Sequence, residues 1–474
     1  MSTTASQVVA PEDARRSLAG AVPRSVWWDS LGDTSTEPPL TTGGSADLVV
    51  IGGGLTGLWA AVCAKDEDPG CDVLLLEAAS IAFGGSGRNG GFISDSLTHG
   101  LGHGAATWPD ELPELLRLGR ENLAEISDFV GTEGIPADLR LCGKSVLATR
   151  AHHLEELRAL HRLHLEHGEQ AELLDGEQAQ QDVRSPTYLG ALRVHSGGGL
   201  VDPVALCRGL ADAALRRGVR IHESSPVTGL QREGTGVRVR TPAAGVHARR
   251  VLLATNAYPP LLARLQHWVL PVHDHILATE PLSPEQLTSI GWPDNQGLTD
   301  AGNQFHYYRR TPDDRILFGG YDAVYYRGNR TDPSGEQHDR SHRLLARHFL
   351  ETFPQLRGIA FTHRWSGIID TTSRFTPMFG TALGGRVGYA LGYTGLGVGS
   401  SRFGARVALD LLAGRDTERT RLRMVRRRPM PFPPEPVRYP TVQLTRAALA
   451  RQDVRGRRGV LLRTFDRFGV GFTS

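Results

Sequence analysis

Asp47-Leu48-Val49-Val50-Ile51-Gly52-Gly53-Gly54-Leu55-Thr56-Gly57 is the stretch from which the fold is read. Leu48 to Ile51 is a short continuous apolar run, the texture of a strand buried on both faces. The glycines directly after it satisfy GxGxxG, and a helix-like segment follows from about Thr56 to Lys65. Each glycine answers a different demand. Gly52 permits the tight turn, Gly54 lets backbone N–H groups approach a pyrophosphate, and Gly57 allows the helix to pack close to the strand. The helix N-terminus then offers unpaired N–H donors and the positive end of its dipole. Asp72 to Leu76 reads as a second buried strand, and Glu77 ends it, about 20 residues beyond the turn. A carboxylate there accepts hydrogen bonds from both ribose hydroxyls of an adenosine and repels a 2′-phosphate, which disfavours NADP. The pattern predicts an α/β chain with a Rossmann-like dinucleotide site. Its spacing does not separate FAD from NAD.

Outward from this motif, composition bounds the rest. The 474 residues suit about three domains, or two large interleaved ones, at roughly 150 residues each. A hydrophobic fraction of 40% with 22% charged residues excludes a disordered chain, a collagen and a coiled coil. The net charge is only +2, although arginine so outnumbers lysine that lysine occurs only at Lys65 and Lys144. Such balance argues against nucleic acid as the main partner. Glycine, at 56 positions, is in excess. Cys63, Cys71, Cys142 and Cys207 form no CxxC pair and have no His at zinc-ligand spacing, so they read as free thiols in a reducing, cytoplasmic setting, and no metal site is expected. Leu48 to Ala64 is too short and too glycine-rich for a membrane span, and the N-terminus lacks a signal-peptide apolar region. Further helices are expected at 109–130, 151–182, 203–217 and 339–353, short strands across 219–255 and antiparallel strands within 270–330.

A second glycine cluster decides between the cofactors. Gly84-Gly85-Ser86-Gly87-Arg88-Asn89-Gly90-Gly91 follows soon after Glu77. So little side-chain bulk lets the main chain run against a flat ring system, and Arg88 adds positive charge for a pyrophosphate or a reduced flavin. The run E-A-x-x-I-A-x-G-G-S-G-R-N-G-G-F, residues 77–92, resembles the D-amino-acid-oxidase-like superfamily of FAD-dependent oxidoreductases. It is most similar to the gamma-glutamylputrescine-oxidase-like branch, with sarcosine- and glycine-oxidase relatives. Val201-Asp202-Pro203 with Val219–Glu223, Ala254–Tyr258, and Gly392-Tyr393-Thr394-Gly395-Leu396-Gly397-Val398-Gly399-Ser400 match the family in the same order. The resemblance spans residues 46 to 414.

The resemblance implies a glutathione-reductase-type FAD-binding domain from 46–100, 190–260 and 360–414. It also implies an α+β substrate domain with an antiparallel sheet from 101–189 and 261–359. Residues 1–45 read as an N-terminal arm anchored by Trp27 and Trp28, and 415–474 as a basic, Pro-rich extension. In the extension a solvated face followed by an extended arm is weighed against an acidic-partner or nucleic-acid surface. The implied FAD contacts are Gly52, Gly54, Leu55, Thr56, Gly57, Glu77, Ala78, Gly85, Ser86, Arg88, Asn89, Gly90, Gly91, Val227, Thr255, Asn256, Gly392, Gly395, Leu396, Gly397 and Val398. The implied chemistry takes a hydride from the carbon next to an amine nitrogen. The imine hydrolyses to a carbonyl compound, and O2 reoxidises the flavin to give hydrogen peroxide. Candidate catalytic residues are Tyr307 and Arg309, which alternation places on one face of a strand, with Trp365, His363 and Tyr393 near the ring.

Three departures qualify the expectation. Covalent flavin in sarcosine-oxidase relatives uses a cysteine towards the C-terminus; all four cysteines here precede residue 208, so the FAD is expected to be noncovalent. A lysine implied to promote O2 reduction in those relatives falls near Leu317. Lys144 is read either as a pocket residue taking that role or as a solvated surface lysine. The His often found in the C-terminal glycine motif is Leu396. An FAD dehydrogenase or tailoring oxidoreductase using another acceptor therefore stands beside the oxidase, with a non-catalytic flavin-binding protein as a third reading. Asp95 is either a sign of a cationic group on the substrate or a loop cap.

Overall fold

The computed structural model describes residues 9–31 and 36–467. Two eight-stranded sheets organise the chain. In the first, Gly44–Ile51 lies between Val73–Leu76 and Gly245–Leu253, parallel to both. Arg220–His222 extends this sheet beyond Val73–Leu76, and Val387–Leu391 followed by Met378–Ala382 extends it beyond Gly245–Leu253. The helix Leu55–Glu67 is buried from Leu55 through Ala64 with no polar face. It is enclosed between this sheet and the helices Pro203–Arg216 and Gly397–Ala413. That enclosure explains why Leu48 to Ala64 is apolar all round: it is core, not membrane.

The second sheet runs Phe361–Thr371, Leu270–Thr279, Ile316–Gly320, His306–Arg310, Gly297–Asp300, Lys144–Ala148, Gly190–Val194, Ala171–Leu174. Its pairs are antiparallel except Gly297–Asp300 with Lys144–Ala148. The helix Asp339–Thr352 covers its outer face through an aromatic core of Tyr308, Phe318, Phe349, Phe353 and Phe361. A two-stranded ribbon, Phe92–Ser94 with Gly198–Leu200, joins the two halves.

Several expectations need correction. Gly190–Val194 and Phe361–Thr371, expected in the FAD-binding half, pair in the second sheet. Residues 151–182, expected to be helical, do hold helices Ala151–Glu166 and Gly176–Asp182, but Ala171–Leu174 between them is an edge strand. The extension is not an extended arm, because Arg438–Arg455 is helical. Asp453 on that helix accepts the backbone N–H groups of Asn303 and Gln304 at 2.9 and 2.7 Å. Near the end of the extension Leu462 is buried, and residues 468–474 lie outside the described ones. The N-terminal arm does pack onto the body, where the Trp27 indole N–H donates to the Asn89 carbonyl at 2.8 Å. Residues 1–8 and 32–35 of the arm lie outside the described ones.

His273 and His275 are buried on Leu270–Thr279. The His275 ring meets His342 at 5.1 Å and His338 at 5.6 Å. Burial, reinforced by the neighbouring imidazoles, drives the His275 pKa down to about 2. A folded pKa below the unfolded value of about 6.5 means unfolding takes up a proton as pH falls below that value. His275→Leu is therefore expected to flatten the pH dependence of stability between pH 6.5 and 4.5 by one proton, about 1.4 kcal/mol per pH unit. Denaturant melts across that range check it; an unchanged slope would contradict the buried-neutral assignment.

Candidate functional site

A cavity of about 400 Å³ runs along the carboxyl ends of the first sheet's parallel strands. That is where open α/β sheets bind ligands, and the size is typical of ligand pockets. One end is bounded by Glu77, Ala78 and Val227, the middle by the turn from Gly52 to Thr56, and the other end by Tyr393, Gly395, Gly397 and Val398.

The turn is built as its glycines predict. Gly52 has φ +114°, and a Cβ on it would stand 2.4 Å from the Ala254 carbonyl oxygen. A Cβ on Gly57 would meet the Gly52 oxygen at 1.9 Å, so Gly57 sets the helix against the turn and does not line the cavity. Glu77 accepts the Gly53 and Ala79 N–H groups at 2.6 and 2.8 Å. Burial raises its pKa while those donors lower it. A carboxylate has room for about four hydrogen bonds, so acceptor capacity remains for a ribose.

The second glycine cluster passes from the cavity to the second sheet. Gly85, Ser86 and Asn89 line the cavity, and the Ser86 hydroxyl accepts the Leu55 N–H at 3.0 Å. Gly90 and Gly91 instead lie on the sheet. A Cβ on Gly90 would stand 2.4 Å from the Tyr307 ring; one on Gly91, at φ +72°, would stand 2.4 Å from the Val201 oxygen. Arg88 also differs from expectation. Its guanidinium pairs with Glu336 at 2.5 Å and lies over the Phe83 ring, so its charge is spent outside the cavity. Val227, Thr255 and Asn256 line the cavity, whereas Gly392 and Leu396 support the turn behind it.

Asp370 lines the Tyr393 end of the cavity and was not legible in the sequence. Its carboxylate accepts the Gly392 N–H at 2.5 Å and the Tyr393 N–H at 3.1 Å. Burial pushes its pKa up to about 7 against those donors. It thereby holds a turn in which Gly392, Thr394 and Gly395 all have positive φ. Tyr393 closes the link to the first turn, its hydroxyl accepting from the Thr56 hydroxyl at 3.0 Å.

The catalytic candidates divide. Register aligns Trp365, Ile276, Gly319, Tyr307, Thr299 and Val146 across the second sheet, so they share the face towards the Gly84–Phe92 segment. Lys144, two residues from Val146, shares that face. The Trp365 indole N–H donates to the Arg88 carbonyl at 3.0 Å, and the Tyr307 hydroxyl donates to Asp274. Burial lifts Asp274 to about 6. Arg309 is not placed for catalysis. It is fully buried and donates to the Gly91 and Val201 carbonyls at 2.9 and 2.8 Å, stapling the ribbon to the sheet. His363 is engaged by Asp29 of the N-terminal arm at 2.8 Å. Leu317 is buried on the sheet, with no cation in its place. Among the described residues no cluster fit to hold a metal is present, and no helix is long and apolar enough to cross a membrane.

With this geometry in hand, comparison assigns the family. Residues 47–411 match the DAO family, described as FAD dependent oxidoreductase, and the chain belongs to it. It is 35% identical to gamma-glutamylputrescine oxidoreductase of Escherichia coli over 382 residues, covering 79% of this chain and 85% of the relative. It is 32% identical to a probable oxidoreductase OrdL of Haemophilus influenzae over 403 residues, covering 83% and 89%. Glycine oxidase from Geobacillus kaustophilus shares the fold, with a TM-score of 0.65 at 19% identity over 79% of this chain and 96% of that one. The chain is an FAD-dependent oxidoreductase of α/β architecture. The glycine turn, the Glu77 acceptor and the cavity between them fit that cofactor.

If Asp370 holds the Gly392–Gly395 turn, Asp370→Ala is expected to weaken FAD binding by about 1–3 kcal/mol, the cost of stranding buried donors. Fluorescence of released FAD measures it; affinity within twofold of the parent would show that the turn stands without the carboxylate.

Proposed function

We propose that this oxidoreductase oxidises the C–N bond of a small amine or amino acid, with noncovalently held FAD and with O2 as terminal acceptor. The observation that carries the reading is the joint geometry of the cavity and the sheet face. The chain that lines one, Gly85 to Asn89, continues as Gly90 to Phe92 over the other. Bound FAD supplies the hydride acceptor. Glu77, Val227 and the Gly52–Thr56 turn would hold its adenosine and pyrophosphate. Tyr393, Gly395, Gly397 and Val398 would hold its ring end.

The substrate side is the chain's own work. Trp365, Tyr307 and Phe92 present aromatic surface where the amine would lie. Phe92 and Tyr307 meet edge to face at 5.7 Å. A desolvating wall disfavours an ammonium and favours the neutral amine, whose neighbouring C–H gives up hydride. Asp274 fixes the Tyr307 hydroxyl and so presents an oriented oxygen on that wall. The imine formed would hydrolyse to a carbonyl compound, and O2 would leave as hydrogen peroxide. Names of relatives support the amine: gamma-glutamylputrescine oxidoreductase and sarcosine oxidase subunit beta are both among them.

A second reading, a dehydrogenase using another acceptor, is favoured by Leu317, an apolar residue where the oxidase resemblance implied a lysine. The four free thiols suit a reducing, cytoplasmic setting. Anaerobic mixing with a panel of amines is expected to bleach the flavin, and O2 to restore it at least as fast as turnover. Reoxidation slower than turnover selects the dehydrogenase; no bleaching by any amine overturns both readings. Acid precipitation is expected to leave the yellow colour in the supernatant, and a yellow pellet would contradict noncovalent binding.

A further inference from the structure

We infer that the outer face of the C-terminal extension is a docking surface for an anionic lipid bilayer, on which the enzyme would lie without spanning it. The extension follows residues 47–411, which carry the family match, so the surface is this chain's own and independent of the amine reading.

The helix Arg438–Arg455 is built inside out. A helix laid on a protein surface ordinarily turns its apolar residues inwards and its polar ones to water. Here charged residues face the body. Arg438 is buried, donating to the Pro433 carbonyl and the His267 ring, both at 2.8 Å. Arg446 pairs with Asp322 at 2.6 Å, and Asp453 holds the Asn303–Gln304 backbone. On the opposite side, helical spacing lines up Val437, Pro440, Leu444, Arg451, Val454 and Arg455, all exposed. Leu444 and Val454 are 59% and 65% exposed. Asp453, the helix's only acidic residue, is turned away from that face.

The chain then turns tightly at Gly456, where φ is +62° and a Cβ would meet the His152 ring at 2.8 Å. The helix Val460–Arg467 follows and packs on the first. Its Leu462 is buried, but Val460 and Leu461 are exposed. More than half of the large apolar side chains exposed among the described residues lie between Met430 and Leu461.

Charge selects the occupant. Residues 438–474 hold eight arginines against two acidic residues, in a chain whose net charge is only +2. Arg451, Arg455, Arg457 and Arg463 are exposed, and among the described residues none of them has an ion-pair partner. A second copy brought against this face by a two-fold axis would set arginine against arginine. The partner is therefore negative, and it also takes aliphatic side chains that stand singly between the charges. Protein interfaces concentrate affinity in packed anchors seated in pockets. Leu444, Val454, Val460 and Leu461 form no such compact anchor. Acyl chains accept an aliphatic side chain wherever it stands, while guanidiniums reach phosphate oxygens at headgroup depth.

The test uses the full-length, FAD-loaded protein and co-sedimentation with large unilamellar vesicles. One set is phosphatidylcholine alone, and the other carries about 30 mol% phosphatidylglycerol. The parent is expected to bind the anionic vesicles at least ~20-fold more tightly than the neutral ones and to lose that preference in high salt. Arg451→Gln/Arg455→Gln/Arg457→Gln is expected to weaken anionic binding by about 20-fold or more, and Leu444→Ser/Val454→Ser/Val460→Ser by about fivefold or more. Both variants change exposed side chains only, and unchanged flavin absorbance and Tm check that the fold stands. No vesicle binding, equal binding to both vesicle types, or binding unchanged in either variant would overturn the surface. A dimer that dissociates in the apolar variant would also overturn it and assign the face to a second copy. Binding to poly-L-glutamate or duplex DNA without binding to vesicles would overturn it in favour of another polyanion.

Discussion

The chain between Gly84 and Phe92 has almost no room around it, and the rest of the site depends on that closeness. It touches the cavity at its start and the second sheet at its end. Side chains at Gly85, Gly90 and Gly91 would collide with the Ile368 carbonyl, the Tyr307 ring and the Val201 carbonyl. Three groups tie the segment down from outside: Trp27 and Trp365 donate to the Asn89 and Arg88 carbonyls, and Arg309 donates to Gly91. Two sheets that would otherwise be separate layers are thereby fixed at one spacing. The cofactor cavity of one then faces the aromatic wall of the other. Interiors pack densely enough that one added methyl group is felt, so a segment with several such contacts locates both halves of the site.

The parts of this arrangement legible in the sequence are those governed by local rules. An apolar strand, a glycine turn and an acidic residue at fixed spacing encode a βαβ unit within a few dozen residues, and the cavity lies along it. The C-terminal glycine turn was equally legible as a motif. Its support was not, because Asp370 lies 22 residues before Gly392 and no local pattern marks a carboxylate that folding will bring against that turn. Arginine roles failed for a similar reason. Arg88 and Arg309 sit in glycine-rich or alternating sequence that suggests ligand contact. Their partners, Glu336, Gly91 and Val201, are supplied only by tertiary structure. Domain limits missed Gly190–Val194 and Phe361–Thr371 because a buried strand has the same texture in either sheet.

The balance of charge in the chain reappears as a pattern in the site. Positive groups near the cavity are largely neutralised: Arg88 by Glu336, while Arg309 donates to backbone carbonyls. A dinucleotide is then met by glycine backbone and a helix N-terminus. The glycine excess and the near-zero net charge are in this sense one design, with backbone taking the role that arginines play in many phosphate sites.

One continuous segment carries the cofactor cavity onto the face of the second sheet. A crystal structure of the protein with FAD bound tests it most directly. Adenosine is expected at Glu77 and Val227 and the flavin ring at Tyr393–Val398, with its exposed face towards Tyr307 and Trp365. A flavin ring at the Glu77 end, or one shielded from the second sheet, would contradict it.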